Sequence, residues 1–266
     1  MQNALSIRQL SRNFGGVRAV HDCSFDIAEG SITGLIGPNG AGKTTLFNMI
    51  AGLFPPSAGQ IMYYGQDVTG LPAHRLFHLG IVRTFQIPHE FSQMTVLDNL
   101  LLVPPRQAGE NLFTTWFAWG RVRRQESQLR ERALEVLAFL GLDHVREELA
   151  GNLSGGQKKL LELGRTMMTE ARLILLDEPA AGVNRTLLGT LVAAIQRLNR
   201  EQNYTFCIIE HDMDMVRKLC DPVIVLAEGQ VLTQGSMDEI MRNPEVLDAY
   251  LGGAPALGSP PLEQSA

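Results

Sequence analysis

The sequence predicts an α/β fold, a mostly parallel sheet with helices on both faces and an inserted helical segment. Three observations predict it. Residues 37–44, Gly37-Pro38-Asn39-Gly40-Ala41-Gly42-Lys43-Thr44, have the spacing of a phosphate-binding loop: Gly, four residues, then Gly-Lys-Thr. The loop stands between an apolar, β-branched run (31–36) and a stretch that continues as a helix (45–51), the strand–loop–helix setting it needs. Around it, short apolar strands alternate with helical stretches, the pattern of a parallel sheet with crossover helices.

Taken in order, residues 4–10 and 20–27 read as strands flanking a turn at Gly15-Gly16, with Phe14 as a hydrophobic plug under that turn. After strand 31–36, the glycines let the backbone curl with its N–H groups inward, and the helix N-terminus adds partial positive charge. Lys43 would reach the β- and γ-phosphates and the Thr44 hydroxyl would hold Mg²⁺. The chain therefore binds a nucleoside triphosphate. Pro55-Pro56-Ser57-Ala58-Gly59 breaks the chain before a strand at 60–64. A helix from Pro72 to Leu79 follows, proline in its first turn, and then a strand at 81–85 ending on Gln86.

From residue 87 to about 152 the pattern turns helical. Thr95 caps a helix over 96–102 with Asp98 in its first turn, and Pro104-Pro105 ends it. Residues 111–119 are rich in Phe and Trp; nine residues cannot cross a membrane, which leaves a local hydrophobic staple or a partner-facing surface. Leu129, Ala133, Leu134, Val136, Leu137 and Leu140 follow helical spacing. Ser154-Gly155-Gly156-Gln157 opens a helix over 154–168, either a second N-terminus suited to a γ-phosphate or an ordinary N-cap and turn.

The apolar strand Arg172–Leu176 runs into Asp177-Glu178. A carboxylate there is costly unless it serves a cation, and Mg²⁺ with its waters is the cation expected. Glu178 would point into the site and polarise an attacking water. A helix at 185–200, a strand at 205–209 leading to Glu210-His211, a helix at 212–219, a hairpin about Glu228-Gly229 and two short helices complete the fold. Residues 252–266 are Gly, Pro, Ala and Ser with almost no large apolar residue, a disordered tail.

At 266 residues the chain exceeds one typical domain of ~150, so a core with a satellite subdomain is expected. A net charge of −5 argues against general nucleic-acid binding, local basic runs such as Arg121, Arg123 and Arg124 notwithstanding. Cys23, Cys207 and Cys220 are widely spaced and form no Cys-x-x-Cys pair, so reduced thiols in a cytosolic protein are expected. Met1-Gln2-Asn3-Ala4 lacks the charged head and apolar core of a signal peptide, so none is expected, and no apolar run approaches the ~20 residues of a membrane span. The expected location is cytosolic unless a partner holds the chain at a membrane.

The order of phosphate loop, Phe85-Gln86, Leu153-Ser154-Gly155-Gly156-Gln157, an apolar strand ending Asp177-Glu178, and Glu210-His211 resembles the ATP-binding cassette (ABC) family over residues 5–251. The resemblance implies a RecA-like P-loop NTPase core (about 4–86 and 170–251) with an N-terminal antiparallel β-subdomain and an inserted α-helical subdomain (about 87–169). It implies ATP held by Gly37, Pro38, Asn39, Gly40, Ala41, Gly42, Lys43, Thr44 and Thr45, with Mg²⁺ held by Thr44, Gln86 and Asp177. Two cassettes would pair head to tail, the signature residues Ser154, Gly155, Gly156 and Gln157 facing the nucleotide of the other subunit. Gln86 would also contact the water and relay ATP binding to the insertion, Glu178 would be the base, and His211 would contact the γ-phosphate and hold the Glu178 geometry. Phe14 becomes the aromatic that stacks on adenine, in place of a plug. Asn184 departs from the Asp of many cassettes, which removes a charge-based cross-dimer contact and leaves an amide.

Finer features resemble the larger ATPase subunit of branched-chain amino acid importers: Phe14–Val20, Val82–Gln86, the 111–119 aromatics, Pro179–Asn184, Ile209–Met213 and Ala249–Gly252. The implied partners are a second cassette, two transmembrane permeases and an extracytoplasmic substrate-binding protein, with the chain peripheral on the cytoplasmic face of the inner membrane. A lipopolysaccharide-type exporter ATPase and a non-transport cassette remain the alternatives.

Overall fold

The computed structural model describes residues 2–84, 90–105, 107 and 119–251. Phe85, Gln86, residues 111–118 of the aromatic stretch and the 252–266 tail lie outside the described residues, and with them the expectations placed there.

β1 (Asn3–Phe14) and β2 (Val17–Ala28) pair antiparallel and run further than the sequence suggested, because cross-strand pairing continues to Phe14 opposite Val17 at the turn. The second sheet begins with β3 (Ile32–Ile36), which leads through the glycine loop into α1 (Lys43–Ile50). β4 (Ala58–Tyr63) returns to pair with β1, and the two-residue β5 (Gln66–Asp67) pairs with β4, closing a four-stranded sheet of order β2-β1-β4-β5. α2 (Ala73–Leu79) starts at Pro72 and ends on Gly80, whose φ of +96° gives the left-handed C-cap, and β6 (Ile81–Arg83) follows.

Between β6 and the next strand the described elements are helical: α3 (Val96–Leu101), α4 (Trp119–Leu140), two short 3₁₀ turns and α5 (Gly155–Met167). Thr95 caps α3 as expected, its hydroxyl accepting the Asp98 N–H at 3.0 Å. Then come β7 (Leu173–Asp177), α6 (Arg185–Gln202), β8 (Thr205–Ile209), α7 (Met213–Leu219), β9 (Val223–Ala227), β10 (Gln230–Gly235), α8 (Met237–Arg242) and α9 (Pro244–Leu251).

The second sheet has the order β10-β9-β3-β8-β7-β6, parallel except for the β9–β10 hairpin. β3, β7 and β8 are buried at every position, which is why they read as continuous apolar runs. Their two faces divide the core. Ile32, Ile36, Ile174, Leu176, Phe206 and Ile208 face the helical layer, while Leu35, Leu173, Leu175, Cys207 and Ile209 face α1 and the first sheet. Among the described residues, no helix is long and apolar enough to cross a membrane. Because β3, β8 and β7 are neighbours, their carboxyl ends carry the glycine loop, His211 and Asp177-Glu178 side by side, where ligands bind in open parallel sheets.

Candidate active site

The glycine loop is shaped by close approach. Gly37 has φ +149°, and a Cβ there would lie 2.0 Å from the Leu226 carbonyl oxygen; at Gly42, φ +96°, it would lie 2.4 Å from that of Ala19. Neither position accepts a side chain, so the loop is fixed between β9 and β2. The Lys43 ammonium folds over the loop and donates to the Gly37 carbonyl at 2.7 Å and the Pro38 carbonyl at 3.0 Å. Burial pushes its pKa down, while the nearby Glu178 and Asp177 charges act the other way. Thr44 is exposed in the first turn of α1.

Asp177 ends β7 buried, and the structure gives it a cation within the chain that the sequence did not suggest. Arg83 Nη2 donates to Asp177 Oδ2 at 2.7 Å, with both side chains under a tenth exposed (8% and 7%). The cost of a buried carboxylate is thus met by a guanidinium, and a metal role for Asp177 rests on its place beside the loop. Glu178 turns the chain sharply: its φ is +49°, rare for a residue with a side chain, and its N–H donates to the Ile209 carbonyl at 2.9 Å. That turn brings Glu178 Oε1 to 3.1 Å from His211 Nε2.

Two residues near these carboxylates were given no role by the sequence. Glu210, only 3% exposed, ends β8 and accepts three backbone N–H groups: Ala180 at 2.6 Å on Oε1, and His211 at 3.0 Å and Asp212 at 3.3 Å on Oε2. It binds the segment after Glu178 to the segment holding His211. Burial nonetheless raises its pKa, outweighing those three bonds. Lys159, buried on α5, has its pKa lowered by burial against the pull of Glu162, Asp177, Glu210 and Glu178. An acidic residue ending a buried strand was the available signal for Glu210; Lys159 carried none.

The remaining expected residues sit apart. Ser154 and Gln157 form a reciprocal capping box on α5, Ser154 N–H donating to Gln157 Oε1 at 2.9 Å and Gln157 N–H to Ser154 Oγ at 3.4 Å. Ser154 and Gly155 stay exposed, and α5 packs chiefly on α3, α4 and α6. Phe14 is 45% exposed, so it is not a plug; it meets Phe54 edge-on at 5.5 Å, with the Arg12 guanidinium 4.8 Å from its ring. Asn184 caps α6, Oδ1 accepting the Leu187 N–H at 3.0 Å.

The donors suit Mg²⁺–ATP. A side-chain-free loop opening a helix, a lysine ammonium, an exposed hydroxyl and a carboxylate match a polyphosphate and a hard, oxygen-seeking cation. Fold and site together define a P-loop nucleoside triphosphatase.

A family profile described as ABC transporter matches residues 20–181, and the chain belongs to that family of ATPases. A second profile, described as branched-chain amino acid ATP-binding cassette transporter, matches residues 230–256. The chain is 42% identical over 248 residues to the probable branched-chain amino acid transport ATP-binding protein LivG of Archaeoglobus fulgidus, covering 93% of this chain and 95% of that one. It is 39% identical over 250 residues to the high-affinity branched-chain amino acid transport ATP-binding protein BraF of Pseudomonas aeruginosa, covering 94% and 98%. Among solved structures it resembles an ABC-transporter cassette in its ADP conformation, with TM-score 0.81, 34% identity and coverage of 95% and 100%.

Proposed function

We propose that this chain is the ATP-hydrolysing subunit of an importer for branched-chain amino acids or related small polar solutes across the inner membrane. The observation that carries the hydrolytic part is the Glu178–His211 contact of 3.1 Å at the strand ends beside the glycine loop. The names of the relatives and the C-terminal profile match support the cargo class.

In this reading Gly37 to Thr45 bind the phosphates, with Lys43 exchanging its loop carbonyls for phosphate oxygens. Thr44, Gln86 and Asp177 hold Mg²⁺, which when bound neutralises phosphate charge and templates the reacting oxygens. Glu178 polarises the water, and His211 fixes the carboxylate and reaches the γ-phosphate. Phe14 stacks on the adenine. Ser154 to Gln157 receive the γ-phosphate of a second cassette paired head to tail, for which their exposure is suited.

The helices of about 87–169 form a subdomain that relays this state to two permeases, with a substrate-binding protein outside. A 450 Å³ groove lined by Leu53, Phe77, Val82, Phe91, Val103 and Arg165 is the surface for a permease loop. The chain then sits peripherally on the cytoplasmic face. The test is a tagged pull-down from gently solubilised native membranes. Recovery of two polytopic proteins and a second cassette is expected; exporter components, or only soluble partners, would overturn the importer.

A further inference from the structure

Arg83 occupies a position that the ATPase chemistry described above does not use. It ends β6, the edge strand of the parallel sheet, and lies in register with Leu175 two residues before Asp177. From there its guanidinium spans two elements of the phosphate site. Nη2 donates to Asp177 Oδ2 at 2.7 Å, and Nη1 donates to Asn48 Oδ1 on α1, the helix whose first turn carries Lys43 and Thr44. The guanidinium carbon also lies 5.9 Å from the Phe47 ring centre. Both members of the ion pair are buried, so water does not screen them.

We infer that Arg83 is a positioning residue for the metal: it holds the Asp177 carboxylate in one orientation and ties it to the helix that bears Thr44. The planar fork fixes one Asp177 oxygen and the Asn48 amide at once in a rigid geometry, which an ammonium on a flexible stem does not impose. Arg83 engages the carboxylate through Oδ2, so in this assignment Oδ1 would be the oxygen that serves the metal. Arg83 also lines the 450 Å³ groove, so a partner pressing on β6 acts on the metal-binding carboxylate through a single side chain. A purely structural brace would join β6 to β7, but the backbone ladder already does that, Val82 and Arg83 pairing with Ile174 and Leu175.

The inference rests on the reading of Asp177 as a metal-holding residue, and its test separates the two. A fluorescent, non-hydrolysable ATP analogue is titrated onto the full chain in EDTA and then with rising Mg²⁺, for wild type, Arg83→Gln, Arg83→Lys and Asp177→Asn. Arg83→Gln is expected to raise the Mg²⁺ concentration for half-maximal tightening about 10- to 100-fold and to leave affinity in EDTA unchanged. Arg83→Lys, which keeps the charge and loses the fork, is expected to fall between, and it carries the test where the glutamine variant does not fold. In an Asp177→Asn background, Arg83→Gln should add nothing. An Mg²⁺ dependence equal to wild type in both Arg83 variants would overturn the inference. So would a tighter one, which would make Arg83 a competitor of the metal. If Asp177→Asn also leaves the dependence unchanged, the metal reading of Asp177 fails with it; if Asp177→Asn weakens it and Arg83→Gln does not, only Arg83 is misread.

Discussion

Replacing Glu210 by Gln tests how the site is held together. The carboxylate spends both oxygens on backbone N–H groups from two segments, Ala180 on one side and His211 with Asp212 on the other. A glutamine amide offers one oxygen. Whichever side takes it, the NH₂ end faces an N–H across a contact that is now 2.6 or 3.0 Å. The loss is one charge-assisted bond and a buried donor without an acceptor, set against relief from burying a charge, for a net cost of about 2 kcal/mol. For a chain of this size that lowers Tm by about 4–8 °C. The pH dependence is more diagnostic. The folded-state pKa of Glu210 lies above its ordinary 4.5, so the folded chain keeps a proton that the unfolded chain has released. Its contribution to stability therefore falls as pH rises from 4.5 through the raised value, and the variant has no such leg. Calorimetric melts of both proteins across this range should show the gap between them widest at the acid end and narrowing upward. A gap that stays constant or widens with pH would refute the claim that burial outweighs the three hydrogen bonds. Turnover should fall by about tenfold as the Glu178 and His211 segments shift, since misplacements of about 1 Å or less are costly.

Glu178→Gln should bind ATP normally and lose about 10²–10⁴-fold in turnover, measured as phosphate release; turnover within a few-fold of wild type removes Glu178 as the base. Lys43→Ala should instead weaken ATP binding about tenfold or more, read by equilibrium titration, and unchanged affinity would count against the glycine-loop assignment. Asn184→Ala should cost about 1 kcal/mol as a lost helix cap. Asn184→Asp should melt at or above wild type, because it keeps the cap and adds charge favoured at a helix N-terminus; equal melting of all three would deny the cap its role.

Much of the fold was legible because its signals are local. The 32–36, 173–177 and 205–209 strands announce themselves as short runs dominated by apolar residues, as burial on both faces requires. The cap at Thr95 lies within three residues of the Asp98 N–H it bonds, and the glycine loop is marked by its own residue types and spacing. What stayed hidden depends on distant pairing. Arg83 meets Asp177 across 94 residues, and Glu210 meets Ala180 across 30. Periodicity states which face a residue occupies, not which neighbour it finds there. The same limit explains Phe14. A turn-flanking aromatic reads as a plug until its exposure is known, whereas stacking on a base needs that exposed face. The positive φ of Glu178 is a backbone property that no residue type at that position advertises.

The charges of the site already have partners, and this shapes how the ATPase can work. Lys43 is held by two loop carbonyls, Asp177 by Arg83, and Glu178 by His211. Nucleotide binding is therefore an exchange of partners. For Lys43 the exchange is favourable, because a phosphate oxygen carries a charge opposite to the ammonium's whereas a carbonyl oxygen offers only a dipole. Glu178 is held differently: its partner is His211, the residue read as reaching the γ-phosphate, so a phosphate on His211 would compete with the 3.1 Å pair. In the proposed function that exchange would act on the 178–184 and 210–212 segments, which carry Glu178 and His211. Those two segments are the ones Glu210 fastens together, which is why its loss should slow turnover more than it weakens ATP binding.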